Sequence, residues 1–360
     1  MNIITALRAA SIACAAIALA PACALAQALT VDHGFEQHTI LSLPVGTGGF
    51  DFDSAGNILY IGSSEINSAD TQVVQATKAS HYNTLNLIAD YGSSTNPVST
   101  YGAFVTVDGN KVYYGDSVAG PRGDGDIEVN YDRIINPTPA PIPVVNMPDD
   151  FDLVFSGTAA FVSADIRGAA SFAADNSVYS LNLSTHKYKD ILDTGDYSGP
   201  IEITASGELI YGESGYGSGG GIYIFSAASV DKAISTGTPM TLSDAAKVIA
   251  DKGNGAFALG PDNELFSAFT PDKATDSVTE YNLLTGDATP ICSLANEGDY
   301  FSGMQYFDGE LTLAETDDSS FTDFIDVAAI PEPAATPLAI SALILIAALG
   351  RNRLHLGVSA

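Results

Sequence analysis

The sequence predicts an all-β chain folded as a β-propeller, and three observations support this prediction. A hairpin pattern recurs about every 50 residues along the chain. A second pair of alternating strands follows most of these hairpins, which gives four strands per repeat, as in a propeller blade. Helical periodicity is nearly absent from the body of the chain.

Six stretches share the hairpin pattern, in which apolar and polar residues alternate on both sides of a short turn rich in Gly, Asn or Asp. This pattern is typical of a β-hairpin. The stretches are FDFDSAGNILYIGSS from Phe50, FVTVDGNKVYYGDS from Phe104, FDLVFSGTAAFVSA from Phe151, IEITASGELIYGES from Ile201, FALGPDNELFSAFT from Phe257 and MQYFDGELTLAET from Met304.

The second strand pair of a repeat is clearest at residues 176–194 and 276–294, where NLST and NLLTG separate two alternating runs. A strand, a polar turn and a strand complete a four-stranded unit, and units of this length indicate propeller blades. Short helical turns are predicted only at 226–234 and 243–251, both at blade edges.

The two ends of the body are predicted to close the ring. The last repeat is followed by only one further strand, at 321–328, while the alternating run at 38–46 precedes the first repeat. Pairing these segments gives the last blade its fourth strand and removes an exposed sheet edge. We count six blades; a seventh is an alternative if 136–148 conceals a degenerate blade, and a two-sheet sandwich is the rival architecture.

The N-terminus has the order of a secretory signal peptide. Arg8 precedes an apolar run at 9–20, and Ala24-Leu25-Ala26 stands before Gln27. The run is too short to span a bilayer, and the A-x-A pattern is a cleavage site. We therefore expect a signal peptide at 1–26 and a propeller domain at 27–329.

The C-terminal segment, 330–360, has three ordered features. Pro331-Glu332-Pro333 comes first, an uncharged apolar run at 334–350 follows, and Arg351 and Arg353 come next. The run reaches the short end of the range for a transmembrane helix. Basic residues beside a span favour the cytoplasmic side, so the body is expected on the outside.

This order resembles the PEP-CTERM sorting signal, which exosortases recognise. The resemblance implies that Pro331, Glu332 and Pro333 form the recognition motif and that Arg351 and Arg353 form the stop-transfer cluster. It also implies an exosortase-type partner, transient anchoring in the inner membrane, and delivery to the cell surface or matrix, often beside exopolysaccharide. The likeness is confined to the last 30 or so residues, and the chain continues past the arginines to residue 360.

The composition excludes two classes of partner. Without Arg8, Arg351, Arg353 and Glu332, the body has 11 basic and 42 acidic residues, a net charge of −31. Such a charge repels nucleic acid and anionic lipid, and it suits an acidic exported protein or one that meets divalent cations. Cys292 is the one cysteine in the body, so no internal disulfide is expected, and we interpret it as a small core side chain.

Only one loop suggests a metal site. In GPRGDGDIEVNYDR, from Gly120, the acidic Asp124 and Asp126 alternate across a glycine. Oxygen ligands at this spacing suit Ca²⁺, although the complete EF-hand order is missing and a solvated turn is the alternative. No other cofactor is predicted. The glycine-rich stretch at 215–225 opens onto a strand, which argues against a phosphate loop.

Two further sets of residues bear on function. Acidic residues near the first strands of the repeats are predicted to converge on the axis, either as metal ligands of a hydrolase or as hydrated tunnel residues: Asp51, Asp53, Asp152, Glu202 and Asp262. Tyrosines on a propeller face would stack on sugars, although packing is their commoner use: Tyr113, Tyr114, Tyr211, Tyr216 and Tyr223.

These observations favour an exported, non-catalytic propeller with a binding or structural role linked to exopolysaccharide. The alternative is a Ca²⁺-dependent propeller hydrolase or lactonase that uses the axial carboxylates.

Overall fold

The computed structural model of the chain describes residues 29–32, 34–63, 71–90, 104–115, 128–137, 142–146, 150–165, 176–195, 199–213, 220–250, 254–269, 276–296, 299–317 and 321–330. The described strands, in chain order, are β1 (Thr30–Val31), β2 (Phe35–Leu43), β3 (Thr47–Phe52), β4 (Ile58–Ser63), β5 (Thr71–Ala76), β6 (Leu85–Asp90), β7 (Val105–Asp108), β8 (Lys111–Tyr114), β9 (Glu128–Arg133), β10 (Ile142–Asn146), β11 (Asp150–Ser156), β12 (Ala159–Asp165), β13 (Asn176–Asn182), β14 (Lys187–Gly195), β15 (Ile201–Ile203), β16 (Leu209–Gly212), β17 (Gly221–Phe225), β18 (Met240–Thr241), β19 (Lys247–Ala250), β20 (Ala256–Leu259), β21 (Glu264–Phe269), β22 (Ser277–Asn282), β23 (Ala288–Ser293), β24 (Tyr300–Phe307), β25 (Glu310–Thr316) and β26 (Thr322–Ala329).

These strands form six sheets, one for each predicted blade. The sheets are β3-β4-β5-β6, β7-β8-β9-β10, β11-β12-β13-β14 with β18 added, β15-β16-β17-β19, β20-β21-β22-β23 with β1 added, and β24-β25-β26-β2. The first strand of each blade contacts the first strands of both neighbours, from β3 through β7, β11, β15, β20 and β24 back to β3. The blades therefore form a closed ring of six, which confirms the predicted propeller and excludes the two-sheet sandwich.

The N-terminal strand closes the ring as predicted. β2 pairs antiparallel with β26, from Phe35 opposite Ala329 to Leu43 opposite Thr322. The strand begins and ends three residues earlier than the predicted 38–46. Because this pairing covers the outer edge of β26, the last blade is complete. The seventh blade considered for 136–148 is wrong, since that segment contains β10, the fourth strand of the second blade.

Among the described residues the core consists of six apolar clusters, one at each junction between adjacent blades. The second strand of a blade is buried on both faces because it lies between two neighbouring blades. In β16, for example, Leu209 and Tyr211 pack toward the third blade while Ile210 packs toward the fifth. Period-two alternation thus assigns successive side chains to two different clusters.

One α-helix lies within the described residues, α1 (Ala227–Thr236), close to the helical turn predicted at 226–234. The Ser226 hydroxyl caps its N-terminus by accepting from the Ser229 N–H, and Gly237 ends it in the left-handed conformation. Three short 3₁₀ helices are also present, at Lys78–Ser80, Leu242–Asp244 and Pro261–Asn263.

The second helical turn, predicted at 243–251, is confirmed only at its start, where the 3₁₀ helix Leu242–Asp244 overlaps it. The prediction is wrong for Lys247–Ala250, which form strand β19, pair with β17 and complete the fourth blade. Val248 is exposed and Ile249 is buried, so this segment follows the period of a strand.

Candidate functional site

Three acidic side chains lie on the innermost strands, around the axis of the ring. Asp51 is on β3, Asp152 on β11 and Glu202 on β15, and each keeps partial solvent exposure. The charges of Asp51 and Asp152 both act on Glu202, so the three groups share one electrostatic environment. The hypothesis that acidic residues of the first strands converge is confirmed for these three.

Each of these axial carboxyl groups links two blades. It accepts a hydrogen bond from the N–H of the residue that follows it and a second from the first strand of the next blade. The donors in the next blade are Val107 N, 2.7 Å from Asp51 Oδ2, Ile201 N, 2.9 Å from Asp152 Oδ2, and Leu259 N, which donates to Glu202.

These bonds have a simple structural cause. The first strand of a blade pairs with the second strand on one side only, so its other edge presents backbone groups without ladder partners. An acidic side chain from the preceding blade satisfies one of these N–H groups. Thr106 does the same for a carbonyl, because its hydroxyl donates to the Leu153 oxygen at 2.6 Å.

Burial raises the pKa of all three axial carboxyl groups. It raises the pKa of Asp51 to about 7 and the pKa of Asp152 to about 6, although the backbone donors partly oppose the shift. The pKa of Glu202 lies well above its usual range, first because of burial and then because of the charges of Asp152 and Asp51. Such shifts are common at functional sites and also at structural ones.

The other two acidic residues considered for the axis, Asp53 and Asp262, lie in turns and not on the innermost strands. Asp53 organises the first hairpin, where Oδ1 accepts from the N–H groups of Ala55 and Asn57 and Oδ2 accepts from Asn57 Nδ2 and Gln75 Nε2. Asp262 is exposed in the 3₁₀ turn of the fifth blade. For these two residues the predicted convergence is wrong, because both follow their strands and lie in turns.

A cleft of about 360 Å³ lies between the first and last blades, on the side of their first hairpins. Its walls come from β2, from the turns of the first blade and from the last hairpin. The lining residues are His38, Thr39, Ile40, Phe52, Lys78, His81, Tyr82, Phe307, Asp308, Glu310, Thr312 and Asp326. We call this feature the closure cleft, since it forms where the chain ends meet.

Two stacked aromatic rings form one wall of the closure cleft. The rings of Phe52 and Phe307 lie 4.7 Å apart between centroids, with an interplanar angle of 18°. Lys78 Nζ lies 5.8 Å from the centre of the Phe307 ring and 3.8 Å from Asp308 Oδ2. An apolar platform therefore stands beside a cation and a carboxylate.

The opposite wall is polar. His38 Nε2 lies 3.5 Å from Asp326 Oδ2, and the Thr312 hydroxyl donates to Asp326 Oδ1 at 2.5 Å. Burial raises the pKa of Asp326, while the bond from Thr312 opposes the shift. Imidazole, hydroxyl and carboxyl groups are thus arranged along one side of the cleft.

The rim of the closure cleft contains an unusual backbone segment. His81 and Tyr82 are consecutive residues with positive φ, 52° and 60°. Such conformations are uncommon for side chains of this size. The Tyr82 hydroxyl donates to the Gly56 carbonyl at 3.2 Å, and this bond fixes the ring in place.

The sorting and metal predictions fall outside the described residues. Pro331, Glu332, Pro333, Arg351 and Arg353 all lie beyond residue 330, and the predicted signal peptide, 1–26, precedes residue 29. Asp124 and Asp126 lie in the interval between 115 and 128. The sorting signal, the signal peptide and the Ca²⁺ loop therefore stay predictions.

Three of the five tyrosines considered for sugar stacking lie in the core. Tyr113, Tyr114 and Tyr211 are fully buried between blades, so stacking on an external ligand is wrong for them. Tyr223 is half-buried, and its hydroxyl lies 3.3 Å from Glu213 Oε2. Tyr216 lies outside the described residues. Cys292 is buried on β23, which confirms the core interpretation.

The described ranges contain neither a metal-binding cluster of His, Cys, Asp or Glu nor a membrane-spanning helix. No three His, Cys, Asp or Glu side chains in them converge to hold a metal ion, so the axial carboxyl groups do not fit a metal as they stand. No helix in the same ranges is long and apolar enough to cross a membrane.

Sequence reasoning did not identify the closure cleft. Phe52 and Phe307 belong to the first and last hairpins and are more than 250 residues apart. The predicted ring closure was the only signal that would have brought them together, because it makes the first and last blades neighbours.

Comparison with known proteins supports the fold. No protein-family model and no curated protein sequence matches the chain. Among solved structures, the PQQ domain of pyranose dehydrogenase from Coprinopsis cinerea is similar, with 10% identity and a TM-score of 0.53 over 84% of this chain and 97% of that one. A Trichoderma reesei carbohydrate-active enzyme of family AA12, in its iodide structure, has 12% identity and a TM-score of 0.54 over 84% and 98%. Aldose sugar dehydrogenase from Streptomyces coelicolor has 10% identity and a TM-score of 0.52 over 82% and 99%. At these identities the likeness concerns the fold alone.

Proposed function

We propose that this chain is an exported, non-catalytic propeller that binds a neutral polysaccharide in the closure cleft. The observation that supports this proposal is the stacked Phe52–Phe307 pair beside hydrogen-bonding side chains. A sugar ring has an apolar face of C–H groups and an edge of hydroxyl groups. An aromatic platform matches the face, and the imidazole, carboxyl and hydroxyl groups match the edge.

The charge of the chain favours a neutral polymer over an anionic one. The body has a net charge of −31 by sequence, and the cleft itself contains Asp308, Glu310 and Asp326. Lys78 and His38 are each close to one of these carboxylates, which leaves little positive field for an anionic ligand.

The proposed location rests on the two terminal segments. The signal peptide would export the chain, and an exosortase-type enzyme would recognise Pro331-Glu332-Pro333 after transient anchoring through 334–350. The expected location is the cell surface or matrix, close to exopolysaccharide. Fractionation tests this part of the proposal: replacing Pro331 and Pro333 by Ala should trap the chain in the inner membrane, and unchanged release would contradict it.

Glycan binding tests the cleft directly. Phe307→Ala in the full chain should weaken binding to a panel of neutral polysaccharides at least about tenfold, because it removes half of the platform. Phe321→Ala is the matched control, since Phe321 is an exposed phenylalanine outside the cleft and its loss should leave binding unchanged. Thermal unfolding of both variants checks the fold. Equal binding by both folded variants would overturn the proposal.

The axial carboxyl groups support a second candidate function, a hydrolase. The raised pKa values of Asp51 and Asp152, about 7 and about 6, lie near neutral pH, and the pKa of Glu202 is raised as well, which suits general acid or base chemistry. Turnover of lactone or ester substrates that Glu202→Gln abolishes would favour this function.

A further inference from the structure

Glu315 is a buried acid without a hydrogen bond. It lies on β25 in the row Leu311, Leu313, Glu315, whose two leucines pack in the cluster between the fifth and sixth blades. Its side chain is 1% exposed, and neither carboxyl oxygen has a hydrogen-bond partner among the described residues. Burying such a group without a partner is costly, so its presence needs an explanation.

Three more carboxylates surround Glu315. Asp323 is directly opposite it on β26, and the charges of Asp299, Asp323 and Asp317 all act on it. Asp299 is itself buried, 7% exposed, and accepts from Asn296 Nδ2 at 2.9 Å. Asp317 Oδ1 accepts from the Phe321 N–H at 2.8 Å.

No cationic side chain compensates this cluster within the described residues. The two ion pairs found between described residues, His38–Asp326 and Lys78–Asp308, both belong to the closure cleft on the other side of the last blade. Burial and the three neighbouring charges raise the pKa of Glu315 to about 7. Because Glu315 is buried without a hydrogen bond beside other carboxylates, the ionised cluster needs a positive partner to remain buried.

We propose that Glu315 binds a Ca²⁺ ion at the junction of the fifth and sixth blades, with Asp299 and Asp323 as further oxygen ligands. Calcium accepts six to eight oxygens in flexible geometry, so backbone carbonyls or waters can complete its shell, whereas Mg²⁺ demands a rigid octahedron. Among the described residues, no three acidic side chains are arranged to hold a metal ion as they stand, so the proposed site requires Asp323, which is half-buried, to turn toward Glu315.

This site is separate from the other acidic groups of the chain. Glu315 faces the fifth blade, the closure cleft lies toward the first blade, and the axial carboxylates already accept backbone hydrogen bonds. It is also separate from the predicted Ca²⁺ loop at Asp124 and Asp126, which lies outside the described residues.

Calcium binding by the full chain and by Glu315→Gln tests the proposal. After dialysis against a chelator, the wild-type chain should recover one bound Ca²⁺ that Glu315→Gln lacks or holds at least about tenfold more weakly. Glu280→Gln is the matched control, because Glu280 is a half-buried strand glutamate of the fifth blade outside the cluster.

Thermal unfolding separates loss of the ligand from loss of the fold. In chelator, Glu315→Gln should unfold at a higher temperature than wild type, since it removes a buried charge. With Ca²⁺ the wild type should gain stability and the variant should not. The proposal is overturned if wild type binds no Ca²⁺, if Glu315→Gln binds and responds as wild type does, or if Glu280→Gln loses the ion equally.

Discussion

Carboxyl groups are buried both at the axis and at the junction of the fifth and sixth blades, but their hydrogen bonding differs. Burial raises the pKa in both places. Asp51 and Asp152 each accept two backbone N–H groups, whereas Glu315 accepts none among the described residues. The position in the sheet explains the difference.

An axial acid faces the unpaired edge of a first strand, where N–H groups are available. Glu315 is on β25, a central strand between β24 and β26, whose ladder uses the backbone groups around it. Asp51 and Asp152, which face such an edge, therefore join neighbouring blades, whereas Glu315 has no hydrogen-bond donor among the described residues. The hydrogen bonds of Asp51 and Asp152 support a structural role, and the lack of a donor at Glu315 is the observation on which the proposed Ca²⁺ site rests.

The largest expected effect is at the axis. Asp152→Ala leaves the N–H groups of Leu153 and Ile201 without their acceptor, and the second of these belongs to the next blade. We expect the free energy of unfolding to fall by about 3 kcal/mol, since each unsatisfied buried donor costs roughly 1–3 kcal/mol. Urea denaturation measures this loss. Asp231→Ala, at an exposed helix position, is the control and should change stability by less than about 0.5 kcal/mol.

The second-largest effect is expected in the pH dependence of stability, which should differ between wild type and Glu315→Gln. In the folded chain the pKa of Glu315 is about 7, above the ordinary value of 4.5, so the folded state binds the proton more tightly. In chelator, wild type should therefore lose stability relative to Glu315→Gln as pH rises from about 4 to 8, by on the order of 2 kcal/mol. Denaturation curves at several pH values measure the difference. A constant difference across this range would contradict the raised pKa.

The smallest effect is expected at Glu202. Burial and the charges of Asp152 and Asp51 raise its pKa, so the folded chain favours the protonated form, which Glu202→Gln resembles in shape and charge. We expect a change in stability below about 1 kcal/mol at pH 7, compared with the larger loss in Asp152→Ala. A large loss in this variant would mean that Glu202 is ionised at the axis.

The ring and its closure could be predicted from the sequence. The hairpin pattern repeats six times, and the last repeat, which ends with the strand predicted at 321–328, lacked the fourth strand that the segment at 38–46 could supply. The strand pairs predicted at 176–194 and 276–294 are confirmed as β13–β14 and β22–β23. The helical turn predicted at 243–251 failed at 247–250, where pairing with β17 outweighed helix propensity.

The sites were harder to predict than the blades. The axial convergence of Asp51, Asp152 and Glu202 follows from their shared place in the repeat. Whether an acid finds a donor depends on which strand of the neighbouring blade faces it, and this is a property of the assembled ring. For the same reason the sequence around Glu315, TLAET, does not indicate that its carboxyl group lacks a hydrogen-bond donor.

Anomalous diffraction from crystals of the full chain grown with Ca²⁺ tests the contrast between Glu315 and the axial carboxyl groups most directly. We expect one ion peak about 2.3–2.6 Å from a Glu315 oxygen and none among the axial carboxyl groups. An ion held by Asp51, Asp152 and Glu202, with Glu315 left without one, would contradict it.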